Sequence, residues 1–396
     1  MSLTLRCSRC SATLRASPLK LGESPNATTR YMKSRGRSFS GRCLNTSSIY
    51  APKRGIVTIS RPQQATAPSL PLQRIPLQSV MEKQATQVRQ ASHATLGVVA
   101  EQEPVVHDIY EEKTGTWQYI VADPATLEAV IIDPVLDYDS ASSEILTTTA
   151  DSLLDMVHQN KYKVQMILET HAHADHLTAA NYLQHKLAES QGTAPAVGIG
   201  KRIADVQKLW AGRYGVPSEE YESVFDKLFE DNEVFHIGSL KSVAIHLPGH
   251  TPDHMGYMIG DNVFVGDSMF HADLGSARAD FPGGDALMLF RSGRKLLQLP
   301  DHVKIWSGHD YPPEDQKGRV PWMTVRQQRD QNKHLKEDVT ETDFVALRQQ
   351  RDATLGPPKL LDQSLQINIR AGRLPRPSSS GLRMLHVPLK LEHAQW

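Results

Sequence analysis

The hydrophobic pattern of the chain changes character near residue 100. Up to Gln90, apolar residues are scattered among Ser, Arg, Pro and Gln without a period. From about Val105, short apolar runs alternate with stretches whose apolar positions recur every three or four residues. The short runs predict strands at Trp117–Ala122, Ala129–Asp133, Val164–Glu169, Ala196–Ile199, Val243–Leu247, Gly256–Ile259, Val263–Gly266 and Val303–Trp306, because they are β-branched or apolar and several end at turn residues. Asp261-Asn262, between two such runs, predicts a hairpin turn. Helical spacing predicts helices over Ser142–Gln159, Asp175–Ala188, Lys201–Ala211, Asp285–Leu299, Met323–His334 and Glu341–Ala353. Strand-rich and helix-rich stretches alternating along one body predict an α/β fold with sheets sandwiched between helix layers. The pentapeptide Arg-Gln-Gln-Arg-Asp occurs at 326–330 and 348–352 with no repeat architecture around it, and is expected on two exposed polar helix faces.

Charge sharpens the division. The 396 residues carry no net formal charge, but residues 1–81 hold thirteen Lys or Arg and one acid, Glu23, which leaves 31 basic and 43 acidic residues in the remainder. An acidic body lacks the local positive charge that nucleic-acid binding requires. The basic, Ser-rich, acid-poor start has no continuous apolar core and is expected to be a mitochondrial transit peptide, directing the protein to the matrix; the alternative is a basic tail without an address. Residues 51–90 stay rich in Pro, Gln and Ser and read as linker. The expected organisation is a leader and linker at 1–91, a catalytic domain at 92–375 and a C-terminal extension at 376–396. No apolar run approaches the roughly 18–20 residues that span a bilayer, so membrane insertion is not expected.

All three cysteines, Cys7, Cys10 and Cys43, fall in the leader. Cys7-x-x-Cys10 has no second pair to complete a zinc site. Chemistry in the body must therefore come from His, carboxylates and metal, without a thiolate ligand or nucleophile.

The densest cluster of such groups is Thr170-His171-Ala172-His173-Ala174-Asp175-His176, after one predicted strand and at the start of a predicted helix. In an extended segment residues i and i+2 project to one side, so His171 and His173 can face one metal, while Asp175 and His176 are expected on the first helical turn. Three more ligand-type residues each follow a predicted strand: His250 through Pro248-Gly249, Asp267 after Gly266, and His309 through Ser307-Gly308. Sites in layered α/β proteins assemble at that edge of the sheet. Seven donors suffice for two metals sharing a carboxylate, or for one metal with supporting partners.

His-x-His-x-Asp-His, Gly249-His250-Thr251, Gly266-Asp267 and Gly308-His309 together resemble the metallo-β-lactamase superfamily, over about Val105 to Pro375. The resemblance implies a four-layer αβ/βα sandwich, here with a C-terminal helical extension, and a metal site at one edge. Asp133, in Ile132-Asp133-Pro134, matches the family's early strand-end aspartate that supports the site loop. Three further stretches are similar to the persulfide dioxygenase (sulfur dioxygenase) branch: Phe225–Phe229 with Phe235–Gly238, Gly275–Phe281, and Ser307–Tyr311 with a tail through Thr324-Val325, Asn332 and Phe344 to Asn368.

That branch implies one non-haem Fe(II) on His171, His250 and Asp267, with His173, Asp175, His176 and His309 as supporting residues or a second metal site. Two His and one carboxylate leave positions for O2 and a substrate sulfur, with Asp175 or His173 managing protons. Arg278 matches the branch's substrate-binding arginine, whose fork can hold a glutathione carboxylate; the alternative is a salt bridge with Asp280. Tyr311 is expected to offer hydroxyl and ring to glutathione or else to pack in the core, and Thr251 to orient a ligand or substrate or else to cap a turn. His246, His254 and His271 match no ligand position and are expected to be structural. The implied reaction converts glutathione persulfide and O2 to sulfite and glutathione in sulfide detoxification, with a homodimer admitted and no nucleic-acid partner. A two-metal glyoxalase II-type thioester hydrolase, using zinc, is the competing reading. A catalytically silent metal-binding scaffold is the third.

Overall fold

Every residue of Thr116–Ala122 is buried, and its alternating side chains enter two different cores. Ile120 and Ala122 pack towards helices, while Tyr119 and Val121 pack towards a second sheet. A strand covered on both faces reads as a continuous apolar run instead of an alternation, which is why this segment was legible as a strand but not as the divider of two layers.

The computed structural model describes residues 103–312 and 320–391; the leader with its three cysteines, and the linker, lie outside the described residues. In chain order the strands are β1 Val105–Glu111, β2 Thr116–Ala122, β3 Glu128–Ile132, β4 Val135–Asp139, β5 Glu144–Leu146, β6 Lys163–Leu168, β7 Leu177–Thr178, β8 Ala196–Gly200, β9 Lys227–Phe229, β10 Glu233–Ile237, β11 Leu240–His246, β12 Met255–Ile259, β13 Asn262–Phe264, β14 Lys304–Trp306 and β15 Trp322–Thr324. The helices are α1 Thr148–Gln159, α2 Ala180–Gln191, α3 Ile203–Tyr214, α4 Ala286–Leu296, α5 Val325–Gln331, α6 Glu341–Asp352 and α7 Leu361–Asn368.

One six-stranded sheet has the order β1-β2-β3-β6-β8-β9 and the other β10-β11-β12-β13-β14-β15. Helices α1, α2 and α3 cover the first sheet through Leu153, Leu183 and Trp210. Phe235, Tyr257, Phe264 and Trp306 fill the space between the sheets. Leu289, Phe290, Leu296 and Phe344 cover the second sheet from α4 and α6. The result is the expected helix–sheet–sheet–helix sandwich.

Several local expectations are corrected, each by a long-range contact. The helix expected from Ser142 begins at Thr148, because Glu144–Leu146 pairs with β4. The helix expected from Asp175 begins at Ala180. His171–His176 is a loop, and Leu177-Thr178 pairs with Leu136 and Val135. Trp322–Thr324 pairs with β14, so the helix expected from Met323 is confined to Val325–Gln331, started by a Thr324/Gln327 capping box. The hairpin turn is Gly260-Asp261, since Asn262 already pairs with Ile259; Gly260 takes a φ of 56°, which glycine accommodates without strain. The second Arg-Gln-Gln-Arg-Asp copy is exposed only at Gln349, Gln350 and Arg351, because Arg348 and Asp352 are buried and paired at 2.5 Å. The C-terminal extension returns to the body, where His386 bonds both the Gln366 side chain and the Tyr214 carbonyl. No helix among the described residues is long and apolar enough to cross a membrane.

Candidate metal centre

The four strand ends singled out from the sequence converge. His171 and His173 follow β6, His250 follows β11, Asp267 follows β13 and His309 follows β14, and all five side chains are buried. Sharp backbone turns deliver them. Gly249 has a φ of 143° and a Cβ there would lie 2.2 Å from the Leu289 nitrogen, so only glycine lets His250 turn in past α4. Gly266 has a φ of 46°, and a Cβ there would strike the Thr170 side chain at 2.4 Å.

Asp267 is the centre. Its Oδ2 lies 3.6 Å from His250 Nε2 and 4.0 Å from His171 Nε2, while its Oδ1 lies 3.5 Å from His309 Nε2. Donors of His171, His250 and Asp267 lie within 4.8 Å of one another, as do those of Asp175, Asp267 and His309, and of His173, Asp175 and His176.

The hydrogen bonds on the far sides of the rings decide which nitrogen faces inward. Thr170 Oγ1 donates to Asp133 Oδ2 at 2.8 Å, so its oxygen accepts from His171 Nδ1 at 3.0 Å. His250 Nδ1 donates to the Arg278 carbonyl at 2.8 Å, and His309 Nδ1 to the Gly115 carbonyl at 3.0 Å. With Nδ1 as the donor, the neutral form of each of the three imidazoles turns an Nε2 lone pair towards Asp267, the tautomer a metal ligand needs. Burial, then the neighbouring His173, His254 and His250, holds the His171 pKa well below its ordinary value. For His309, burial acts in the same direction but is outweighed by Asp267 and Asp175, which lift it to about 10. That excess of buried negative charge is what a cation would neutralise. His171 Nε2, His176 Nε2 and Asp267 Oδ1 are buried without a hydrogen-bond partner, an arrangement that is costly unless an ion satisfies them. Imidazole nitrogens and carboxylates fit zinc, iron or manganese, so the residues fit a metal.

The supporting residues form a continuous frame. Asp133, at the end of β3 with a φ of 50°, accepts from both the backbone and the side chain of Thr170. Asp253 Oδ2 accepts from the Ala172 amide at 3.0 Å, between the two motif histidines. His254, expected to be only structural, stacks on His171 and accepts from the Asp267 amide at 3.0 Å. Asp253 and Asn368 take backbone groups of the 171–178 loop, which explains why no helix forms there.

His173 departs from the expectation that it faces the same metal as His171. Its Nε2 lies 3.0 Å from Asp133 Oδ1 and 3.6 Å from Glu169 Oε2, and it groups with Asp175 and His176 instead. It does not line the cavity, so of the two residues expected to handle protons only Asp175 reaches that space.

The cavity over the centre holds about 680 Å³, with Asp175, His176, His250, Asp267 and His309 on its floor. Arg278 lines it, but Nε and Nη2 are each 2.6 Å from a different oxygen of Asp280, and Nη1 donates to the Gly356 carbonyl. The alternative reading of a salt bridge is thus realised. Tyr311 lines the wall, 59% exposed and stacked parallel to His309 at 5.9 Å, so it is not core packing. Thr251 lies elsewhere, in a small separate pocket with Ala172, Trp210 and Leu365. Lys113, Arg351 and Lys359 also line the main cavity and were not anticipated. Arg351 sits within the second copy of the repeated pentapeptide, a signal that pointed there without saying why.

The metallo-β-lactamase superfamily model matches residues 113–309. The chain is 45% identical over 299 residues to the "Beta-lactamase hydrolase-like protein" of Xylella fastidiosa, covering 74% of this chain and 67% of that one. It is 43% identical over 284 residues to "Glyoxylase B2" of Dictyostelium discoideum, covering 70% and 94%. Similarity to the bovine "Persulfide dioxygenase ETHE1, mitochondrial" is 26% over 277 residues, covering 69% and 91%. The crystal structure of ETHE1 from Myxococcus xanthus superposes with a TM-score of 0.54 at 26% identity, over 68% of this chain and all of that one. The chain belongs to the metallo-β-lactamase superfamily.

Proposed function

We propose that the protein is a persulfide dioxygenase acting on glutathione persulfide. The observation that carries this reading is the contrast between the two donor sets. His171, His250 and Asp267 surround a gap of 3.6–4.0 Å with a free Nε2 pointing inward, whereas Asp175 closes onto His176 and His309 at 3.2 Å each. The first set is a two-His, one-carboxylate arrangement open to one ion; in the second, Asp175 Oδ2 already pairs with both His176 Nδ1 and His309 Nε2, and His176 Nε2 is the atom left without a partner. Iron held by such a triad supplies open positions for O2 and a substrate sulfur together.

The chain's own residues do the rest. Arg351 and Lys359, which have no acidic partner among the described residues, attract the carboxylates of a glutathione tail, and Arg278 offers the N–H groups left over from Asp280. Tyr311 presents its hydroxyl and ring at the wall. The carboxylate of Asp175, on the floor, receives the proton released as water adds to the oxidised sulfur. The balance is glutathione persulfide, O2 and water giving glutathione and sulfurous acid, which ionises to sulfite. The basic leader adds a matrix location to this reading, testable by import into isolated mitochondria.

The competing reading, a glutathione thioester hydrolase with two metals, draws support from the two donor groups that share Asp267, His171 with His250 on one side and Asp175 with His309 on the other, and from the "Glyoxylase B2" relative. One experiment separates them. Oxygen consumption and sulfite release by the Fe(II)-loaded full chain on addition of glutathione persulfide, lost in His171→Ala, is the expected result. No oxygen uptake, with hydrolysis of S-lactoylglutathione by the Zn-loaded chain, would overturn it.

A further inference from the structure

Asn368, the last residue of α7, stands 190 residues beyond the ligand loop, yet its side chain is built into that loop. Its Nδ2 donates to the His173 carbonyl at 2.8 Å and to the His176 carbonyl at 2.9 Å, and its Oδ1 accepts from the Thr178 amide at 2.9 Å. The amide orientation is fixed by its neighbours: the reverse flip would set an oxygen against two carbonyls and an NH2 against an N–H. The residue is 3% exposed, so water cannot replace these bonds. The two carbonyls bracket Ala174 and Asp175, and the loop between them has no helix or strand of its own.

We infer that Asn368 is a positioning residue for the metal centre, pinning the 171–178 loop that carries the ligand His171 together with His173, Asp175 and His176, and so setting the chain's affinity for metal. A loop with no internal ladder keeps its donors converged only if its backbone groups are bonded elsewhere, and partners of ligand-bearing groups are typically worth about 10–100-fold in metal affinity. Helix α7 is itself firmly seated. Leu365 and Ile367 are buried in the helix-side core, and Gln207 donates to the carbonyl of Ile369, just after the helix. The C-terminal helix is thereby a further support of the site, beside those from Asp133 and Asp253. The inference rests on the cluster being a metal centre, which a titration of the wild-type chain with Co(II) or Zn(II) tests separately.

The test is Asn368→Asp, which keeps the size of the side chain and the acceptor for Thr178 but turns an oxygen on the two carbonyls. Gln366→Ala, which loosens the same helix by removing its bonds to the backbone of His386, is the control. Metal dissociation constants and the visible spectrum of the Co(II)-loaded protein are measured for both. The expected result is a loss of tenfold or more in metal affinity and an altered Co(II) spectrum for Asn368→Asp, with less than a threefold loss for Gln366→Ala even where its melting temperature falls further. Wild-type affinity and spectrum in Asn368→Asp, or an equal loss in Gln366→Ala, would overturn the inference. If Asn368→Asp does not fold, hydrogen exchange of the wild-type chain decides. Metal binding should slow exchange in the segment 361–370, and an unchanged rate there would equally overturn it.

Discussion

His250 Nδ1 lies 2.8 Å from the backbone carbonyl of Arg278, while the Arg278 side chain runs the other way, into the cavity and onto Asp280. One residue thus serves the metal centre with its main chain and the substrate space with its side chain, and the two roles separate by mutation. Arg278→Ala is expected to leave metal content unchanged and to raise KM about tenfold with little change in kcat. Parallel metal analysis and steady-state kinetics check this; loss of metal would mean that the side chain also holds the loop.

Asp267 touches both donor sets, so its removal should abolish the site rather than weaken it. Asp267→Ala is expected to lower activity by at least about a thousandfold, since several kcal/mol of metal-derived stabilisation is lost. It should also abolish the metal-induced rise in melting temperature. In the wild type, metal at a hundred times its dissociation constant contributes about 2.7 kcal/mol. Melting curves with and without a chelator report that difference directly.

Arg351 and Lys359 are expected to act through charge on an anionic tail far from the reacting atom. The double variant Arg351→Ala/Lys359→Ala should raise KM more than tenfold at low ionic strength and flatten its dependence on salt, because screening can weaken only a charge interaction that exists. An unchanged salt profile would remove both residues from substrate binding.

His334 supplies a pH dependence away from the metal. Its Nδ1 accepts from the Ser276 amide at 3.1 Å, which requires a neutral ring. Burial, then Arg348, Lys333 and Arg351, depresses its pKa to about 4. The unfolded chain, with an ordinary histidine near 6.5, binds the proton first, so stability is complete above about pH 6.5 and falls as pH drops towards 4. The expected loss is on the order of 2 kcal/mol, allowing for screening by solvent. His334→Asn should flatten that slope in urea titrations at pH 7 and 4.5; an identical slope would assign the acid sensitivity to other groups.

The candidate ligand residues were legible because their placement follows from local rules. A strand that ends in a glycine turn puts the next side chain at the sheet edge, and His250, Asp267 and His309 each follow such an end. The layered sandwich was legible from the alternation of strand-rich and helix-rich stretches and from the family resemblance, whereas a run such as Ile120–Ala122 marked a strand without showing that it divides two layers. The direction of His173, the Arg278–Asp280 pair, the buried Arg348–Asp352 pair and the hold of Asn368 on the loop were decided only in three dimensions. Asp133 and Asn368 stand about 40 and 195 residues from His173, and no period or propensity carries information over that distance. The sequence by itself determined which atoms could bind a metal. The tertiary structure decided which way each one points, because burial removes water as the alternative partner and leaves each polar group only the neighbours that folding brings to it.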